Sequence, residues 1–228
     1  IGWLKLPIQD RPRLICLYFN EPDHAGHVYG ASSKEVNEQI KKSDEILGYL
    51  IKSLEELSIY NQINIVIVSD HGMVDVSKDK MINIDKYNIR GIIDGKGPIM
   101  SVIDPDYKNK SFNIPHVEIV SSKNNNILHY DNSLYDYLLI ADEGWLMYTT
   151  EDFLNYNNKL PVQGMHGYNA ESMNMHAIFY AYGPKFKKGI NIDTFELIHI
   201  YPLLCKLLKI DPYHNIDGKL EILNPILN

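Results

Sequence analysis

Three short stretches of this chain hold residue types that bind metals and handle phosphate. The first, Glu21-Pro22-Asp23-His24-Ala25-Gly26-His27, sets a carboxylate and an imidazole four residues apart. One helical turn or tight loop would carry both to the same side, and that pair is half a zinc shell. The second, Val68-Ser69-Asp70-His71-Gly72-Met73, puts two strong ligand types side by side where an apolar run stops. Gly72 lets the backbone turn away there without a Cβ clash. The third, Gly164-Met165-His166-Gly167-Tyr168-Asn169, holds one His between glycines. Taken singly, the first two have an ordinary reading, an Asp capping the next turn with a surface His beside it, and the third is a lone His of a kind common in loops. Together they offer Asp23, His27, Asp70, His71 and His166. Five ligands exceed one tetrahedral ion and are too few to close two. Three imidazoles with two carboxylates suit a pair of divalent ions, zinc above all. Two such ions about 4 Å apart can clamp the attacking and leaving oxygens of a phosphoryl transfer.

These ligands need elements to hold them. Leu14 to Phe19 is a short apolar run that reads as a buried strand. Ser32 and Glu35 form a capping-box pattern, and Val36, Ile40, Leu47, Leu50, Ile51, Leu54 and Leu57 follow at helical spacing. An amphipathic helix is expected over residues around 33–58. Asn64 to Val68 is β-branched and continuous, the pattern of a strand buried on both faces. Strand, helix, strand in that order predicts a βαβ unit in a parallel sheet. Further strands are expected at Ile99 to Ile103, Val117 to Val120, Leu138 to Ala141 and Ala177 to Ala181. A polar turn is expected at Lys123 to Asn126, and a helix opens at Tyr201-Pro202. The three clusters sit at the ends of expected strands, where open α/β sheets place ligand sites. The other histidines, 24, 116, 129, 176, 199 and 214, read as surface or satisfied polar positions, with His176 nearest in sequence to the third cluster.

The chain has 228 residues, 45% of them hydrophobic and 22% charged, enough for one large domain or a major part of one. A net charge of -7 and the lack of a basic stripe argue against a nucleic-acid partner. No signal peptide is visible, and no run of about eighteen apolar residues exists to span a membrane. Cys16 and Cys205 lie far apart, each in an apolar segment, and buried thiols and a disulfide both remain open. Asn109-Lys110-Ser111 is a single glycosylation sequon.

The string Glu21-Pro22-Asp23-x-x-Gly26-His27-x-x-Gly30, with Ser33-x-Glu35-Val36, resembles the nucleotide pyrophosphatase/phosphodiesterase family of the alkaline phosphatase superfamily. So do Ser69-Asp70-His71-Gly72-Met73, His166-Gly167-Tyr168-Asn169, Met175-His176-x-Ile178-Phe179, Gly183-Pro184-x-Phe186 and Tyr201-Pro202-Leu203-Leu204-Cys205. Trp3-Leu4-x-Leu6-Pro7 and Arg11-Pro12 fit as well, and Ala141-Asp142-Glu143-Gly144-Trp145 is the best match in a weaker middle.

The resemblance implies a doubly wound, mostly parallel α/β fold and two zinc ions. Asp23, His27 and His166 would hold one ion, Asp70 and His71 the other. It also implies a nucleophilic Thr and a further Asp, neither of which has a match here. The only threonines are Thr149, Thr150 and Thr194, none in a fitting context. Motif order aligns residues 1–228 with the later part of the catalytic domain, incomplete at its N-terminal side. The expected activity is hydrolysis of nucleotide phosphodiester or pyrophosphate bonds by the complete protein, with this chain alone inactive. A choline-phosphodiester substrate and a non-catalytic zinc-binding domain are the alternatives. The implied location is extracellular or at the cell surface, with any membrane association through segments outside this chain. Ala31, where members often carry Pro, is a loop departure with no expected chemical effect.

Overall fold

The computed structural model describes residues 1–87, 89, 91–104, 106, 113–121 and 134–228. The sequon at Asn109, the polar turn at Lys123 to Asn126 and His129 lie outside them. The fold is mixed α/β and divides into two compact units. The first is built from Ile1–Phe19, Ser43–Asp70 and Ala177–Asn228, the second from Asn20–Lys42 and His71–His176.

The second unit is centred on four antiparallel strands in the order β4-β5-β7-β6. They are β4 (Ile92–Lys96), β5 (Ile99–Ile103), β6 (Val117–Ser121) and β7 (Tyr137–Ala141). A two-residue Gly97-Pro98 turn joins β4 to β5, pairing Lys96 with Ile99. Gly97 takes a φ of +83°, the sign that tight hairpin turns require and that only Gly adopts without strain. β7 lies between two neighbours and is buried at every residue. That is why its sequence, Tyr-Leu-Leu-Ile-Ala, is apolar on both faces. Ile82, Ile84, Met100, Val102, Tyr137, Leu139 and Met147 pack into one core here.

Two strand pairs flank this sheet. β3 (Met81–Asn83) runs parallel to β8 (Leu146–Tyr148). β2 (Val74–Asp75) pairs antiparallel with β9 (Gly164–Met165). Helix α3 (Thr150–Asn155) opens with a reciprocal capping box: Asp152 N–H donates to Thr149 Oγ1, and Thr149 N–H donates to the Asp152 carboxylate. Thr150 donates its backbone N–H to Asp85 at 2.7 Å. Both threonines thus serve a helix terminus.

In the first unit, β1 (Ile65–Val68) pairs antiparallel with β10 (Phe179–Tyr182), and α4 (Ile200–Leu208) carries Pro202 in its first turn. Phe186, Leu203, Leu223 and Ile226 form its core. Helix α2 (Lys34–Glu55) matches the expected helix within three residues at its C-terminal end.

Several expectations are corrected. Leu14 to Phe19 is not a strand; Leu17 and Tyr18 are 58% and 84% exposed. An apolar run becomes a strand only with a backbone partner, and none of the described strands pairs with it. β1 is half-buried, with Val68 exposed and an antiparallel partner rather than a parallel one. Among the described strands only the β3/β8 pair is parallel. The α2 cap is Ser33, whose Oγ accepts from Val36 N–H at 3.2 Å, while Ser32 donates its N–H to Asp75. Cys16 is an exposed free thiol and Cys205 a buried one.

Candidate metal centre

Asp23 and His27 occupy helix α1 (Asp23–Tyr29). The preceding Glu21 explains how so short a helix starts: its carboxylate accepts the Ala25 N–H at 3.0 Å, satisfying one of the free donors of the first turn. The i, i+4 spacing then brings His27 Nε2 to 3.5 Å from Asp23 Oδ1. His71 begins the second unit, next to β2, and His166 follows β9, which is paired with β2. This pairing carries two more imidazoles to α1. His71 Nε2 and His166 Nε2 lie 3.8 and 3.6 Å from the same Asp23 oxygen, and the His71 and His166 rings stack at 3.5 Å.

Close backbone approach makes the arrangement possible. A Cβ on Gly164 would stand 2.4 Å from the Gly26 carbonyl oxygen, so only Gly lets β9 lie against α1. That contact also places the Gly164 carbonyl where it accepts from His27 Nδ1 at 2.9 Å. His71 Nδ1 likewise donates to the Gly72 carbonyl at 2.8 Å. A carbonyl can only accept, so both Nδ1 atoms carry the proton. In the neutral imidazole Nε2 is then the lone-pair nitrogen, and in both residues it faces Asp23.

Asp23 Oδ1 is buried without a hydrogen-bond partner among the described residues. A buried carboxylate oxygen left so is costly unless a cation compensates it. Asp23, His27 and His166 each offer one donor atom, all within 4.8 Å of one another. Two donors about 2.1 Å from a tetrahedral zinc stand roughly 3.4 Å apart, close to the 3.5 and 3.6 Å found here. The donor types and spacing fit a zinc ion. Asp70 is the exposed last residue of the first unit and is not one of these three.

Residues 1–169 match the type I phosphodiesterase / nucleotide pyrophosphatase family. The chain belongs to that family. Among its curated members, human bis(5'-adenosyl)-triphosphatase ENPP4 is 31% identical over 211 residues, covering 87% of this chain and 45% of the relative. Mouse ectonucleotide pyrophosphatase/phosphodiesterase family member 7 is 32% identical over 241 residues, covering 98% and 53%. The chain thus spans about half the length of these relatives. A solved structure of murine ectonucleotide pyrophosphatase/phosphodiesterase 5 superposes on all of this chain and 61% of its own, with a TM-score of 0.86 and 26% identity. That protein is a threonine-to-alanine variant described as inactive, in complex with AMP.

Of the other histidines, His116 stacks on Trp145 at 3.8 Å and bonds Asp142 through Nδ1 at 3.0 Å. His199 is buried and accepts the Lys219 N–H at 3.0 Å. Two features of the site escape a reading of the sequence by ligand types alone. One is the Glu21 cap, signalled by a carboxylate just ahead of a helical turn. The other is the close approach of β9 to α1, signalled only by Gly26 and Gly164.

Proposed function

We propose that this chain forms the later part of a two-zinc phosphodiesterase domain hydrolysing nucleotide phosphodiester or pyrophosphate bonds. The observation that carries the reading is the meeting of three imidazole Nε2 atoms around one orphaned Asp23 oxygen. In this reading Asp23, His27 and His166 hold one zinc, and His71 with Asp70 holds the second. Zinc would supply Lewis-acid polarisation of a phosphoryl oxygen and a nucleophile at neutral pH. The chain's own residues do the rest. The Gly164 and Gly72 carbonyls hold His27 and His71 in one tautomer, and α1 fixes Asp23 against His27.

Thr149 and Thr150 are engaged at the start of α3, and in this reading the nucleophilic Thr that the resemblance implies is contributed from outside residues 1–228. Residues 1–228 are in this reading one partial catalytic domain of mixed α/β fold. Family members named as ectonucleotide and venom phosphodiesterases support small nucleotide substrates and an extracellular or cell-surface location. No described helix is long and apolar enough to cross a membrane.

The test is zinc titration by calorimetry, followed by turnover of a nucleotide diester and a lysophospholipid in parallel by the complete protein. The expected result is zinc uptake from which Asp23→Ala removes the Asp23–His27–His166 site, weaker binding by the isolated chain than by the complete protein, and turnover of the nucleotide. A wild-type chain that takes up no zinc, or binding untouched by Asp23→Ala, would overturn the metal reading. Preference for the lysophospholipid would replace the substrate.

A further inference from the structure

The motif Asp142-Glu143-Gly144-Trp145 lies outside the set of metal-binding residues, yet it is tightly held. It forms the turn between β7 and β8. Asp142 N–H donates to the His116 carbonyl at 2.9 Å and Trp145 N–H to the Asp142 carbonyl at 2.9 Å. The His116 ring stacks on Trp145 and bonds the Asp142 carboxylate, closing the turn from both sides. Gly144 takes a φ of +82°. The turn presents Glu143, half-buried, to residues 169–176.

There the Glu143 carboxylate accepts two hydrogen bonds. Asn174 Nδ2 donates to Oε1 at 2.6 Å, and Ser172 Oγ donates to Oε2. An ionised acceptor makes both stronger than neutral bonds. The segment they anchor is short and internally tied: Ser172 N–H donates to Asn169 O at 3.0 Å, and Met175 N–H to Ser172 O at 2.9 Å. At one end it continues from His166. At the other, the Met175 carbonyl accepts the Gly72 N–H at 2.9 Å. The Asn174 carbonyl presses so close that a Cβ on Gly72 would meet it at 2.0 Å. The Gly72 carbonyl in turn accepts from His71 Nδ1.

We infer that Glu143 is a positioning residue that holds the stacked His71 and His166 rings in register by anchoring residues 172–175. The rings meet at 3.5 Å, although they come from stretches nearly a hundred residues apart. One short segment, residues 172–175, bonds the Gly72 backbone next to His71 and follows His166 in the chain. Without Glu143, the 172–175 turn loses both side-chain bonds to the β7–β8 turn, and Gly72 loses its fixed acceptor. The inference rests on the metal reading for its consequence but not for its geometry.

The test uses the whole chain with Glu143→Ala and Glu143→Gln. Glutamine can still accept from Asn174 and donate to Ser172, so it should rescue. Two measurements are needed: zinc affinity, and hydrogen exchange at the Gly72 amide together with the imidazole nitrogen resonances of His71. Outer partners of metal ligands typically cost 10–100-fold in affinity when removed. Glu143 acts one step further out, so Glu143→Ala should weaken zinc by up to about tenfold, speed Gly72 exchange and shift His71, while Glu143→Gln stays near wild type. If Glu143→Ala does not fold, Ser172→Ala removes one of the two bonds with little change of volume and should show the same changes at smaller size. Gly72 exchange and His71 resonances unchanged in a folded variant would overturn the inference. Should the wild-type chain take up no zinc, the same exchange and resonance measurements decide it, so its failure is distinguishable from that of the metal reading.

Discussion

The two units of this molecule differ in how completely they bury what their sequences offer. In the second, β7 is buried at all five residues, and Met100, Val102, Tyr137, Leu139, Leu146 and Met147 are fully enclosed. In the first, the described buried hydrophobics are Leu54, Phe186, Leu203, Cys205, Leu223 and Ile226. Its exposed apolar side chains include Trp3, Ile8, Leu17, Tyr18, Tyr180 and Tyr182. The converging Asp23, His27, His71 and His166 all belong to the enclosed unit. Donor atoms held to within tenths of an ångström need rigid packing behind them, and only the second unit supplies a four-stranded sheet for that purpose.

The largest effect that would sharpen the contrast is Leu139→Ala. Leu139 is fully buried on the central strand. Removing three carbons there leaves a cavity and should cost about 2–5 kcal/mol, read as a lowered denaturation midpoint. A loss under about 1 kcal/mol would mean that the second unit is no better packed than the first.

Next comes His166→Ala, which separates binding from folding within the enclosed unit. His166 is a partly exposed residue beyond the end of β9 and contributes little to the core. Zinc affinity should fall more than the 10–100-fold typical of an outer partner, while the denaturation midpoint moves by about 0.5 kcal/mol or less. Near-normal zinc binding would remove His166 from the ligand set and leave Asp23, His27 and His71 to explain.

How far the sequence alone revealed this division depends on which physical signal each element carries. Helix α2 was legible because twenty-two residues repeat the 3.6-residue pattern many times over. β7 was legible because a strand buried on both faces shows as an unbroken apolar run. The nearness of Asp23 and His27 was legible from their four-residue spacing, but the arrival of His166 beside them depends on the β2/β9 pairing, which leaves no local mark. The direction of β1 was not legible, since a β-branched run is the same string of residues whether its partner runs parallel or antiparallel. Nor was the fate of Leu14 to Phe19: hydrophobicity says that a segment prefers burial, not that a partner strand is at hand. Ser32 and Ser33 are adjacent candidates for one cap; Ser33 Oγ takes it by accepting the Val36 N–H, while the Ser32 N–H bonds the Asp75 carboxylate. The contribution of Glu143 was hidden because its partners lie about thirty residues away and leave no periodic trace.

Alkaline pH separates the units by a third route. Burial pushes the hydroxyls of Tyr137, Tyr148 and Tyr168 well above the ordinary tyrosine range, and nearby carboxylates or the Tyr156 and Tyr148 rings add to it. All three belong to the second unit. An unfolded tyrosine ionises near 10, so the fold favours the protonated form. Its stabilisation is complete below about pH 10 and is lost as pH rises toward the folded values. The raised tyrosine of the first unit, Tyr60, is pushed up to about 12, chiefly by its hydrogen bond with Tyr182 rather than by burial. On raising the pH, tyrosinate absorbance from the second unit should appear together with loss of its near-UV circular dichroism. Smooth ionisation of all tyrosines with the fold intact would show that the enclosed core admits water.

The smallest effect bears on the open unit. Tyr180 lies on β10, whose residues alternate between half-buried and exposed, and its side chain is 65% exposed. An exposed side chain contributes little by area, because most of its apolar surface stays in water in the folded state. Its backbone bonds to Ile67 survive truncation, since the ladder runs through main-chain atoms. What remains is the β propensity of Tyr over Ala, worth at most about 1 kcal/mol and context-dependent. Tyr180→Ala should therefore shift the stability of this chain by roughly 0.5 kcal/mol, several times less than Leu139→Ala. Tyr180 and Leu139 are both strand residues, one in a two-stranded pair and one central to a four-stranded sheet. If the two truncations cost the same, Tyr180 must be enclosed in solution, and the contrast between the units would fall.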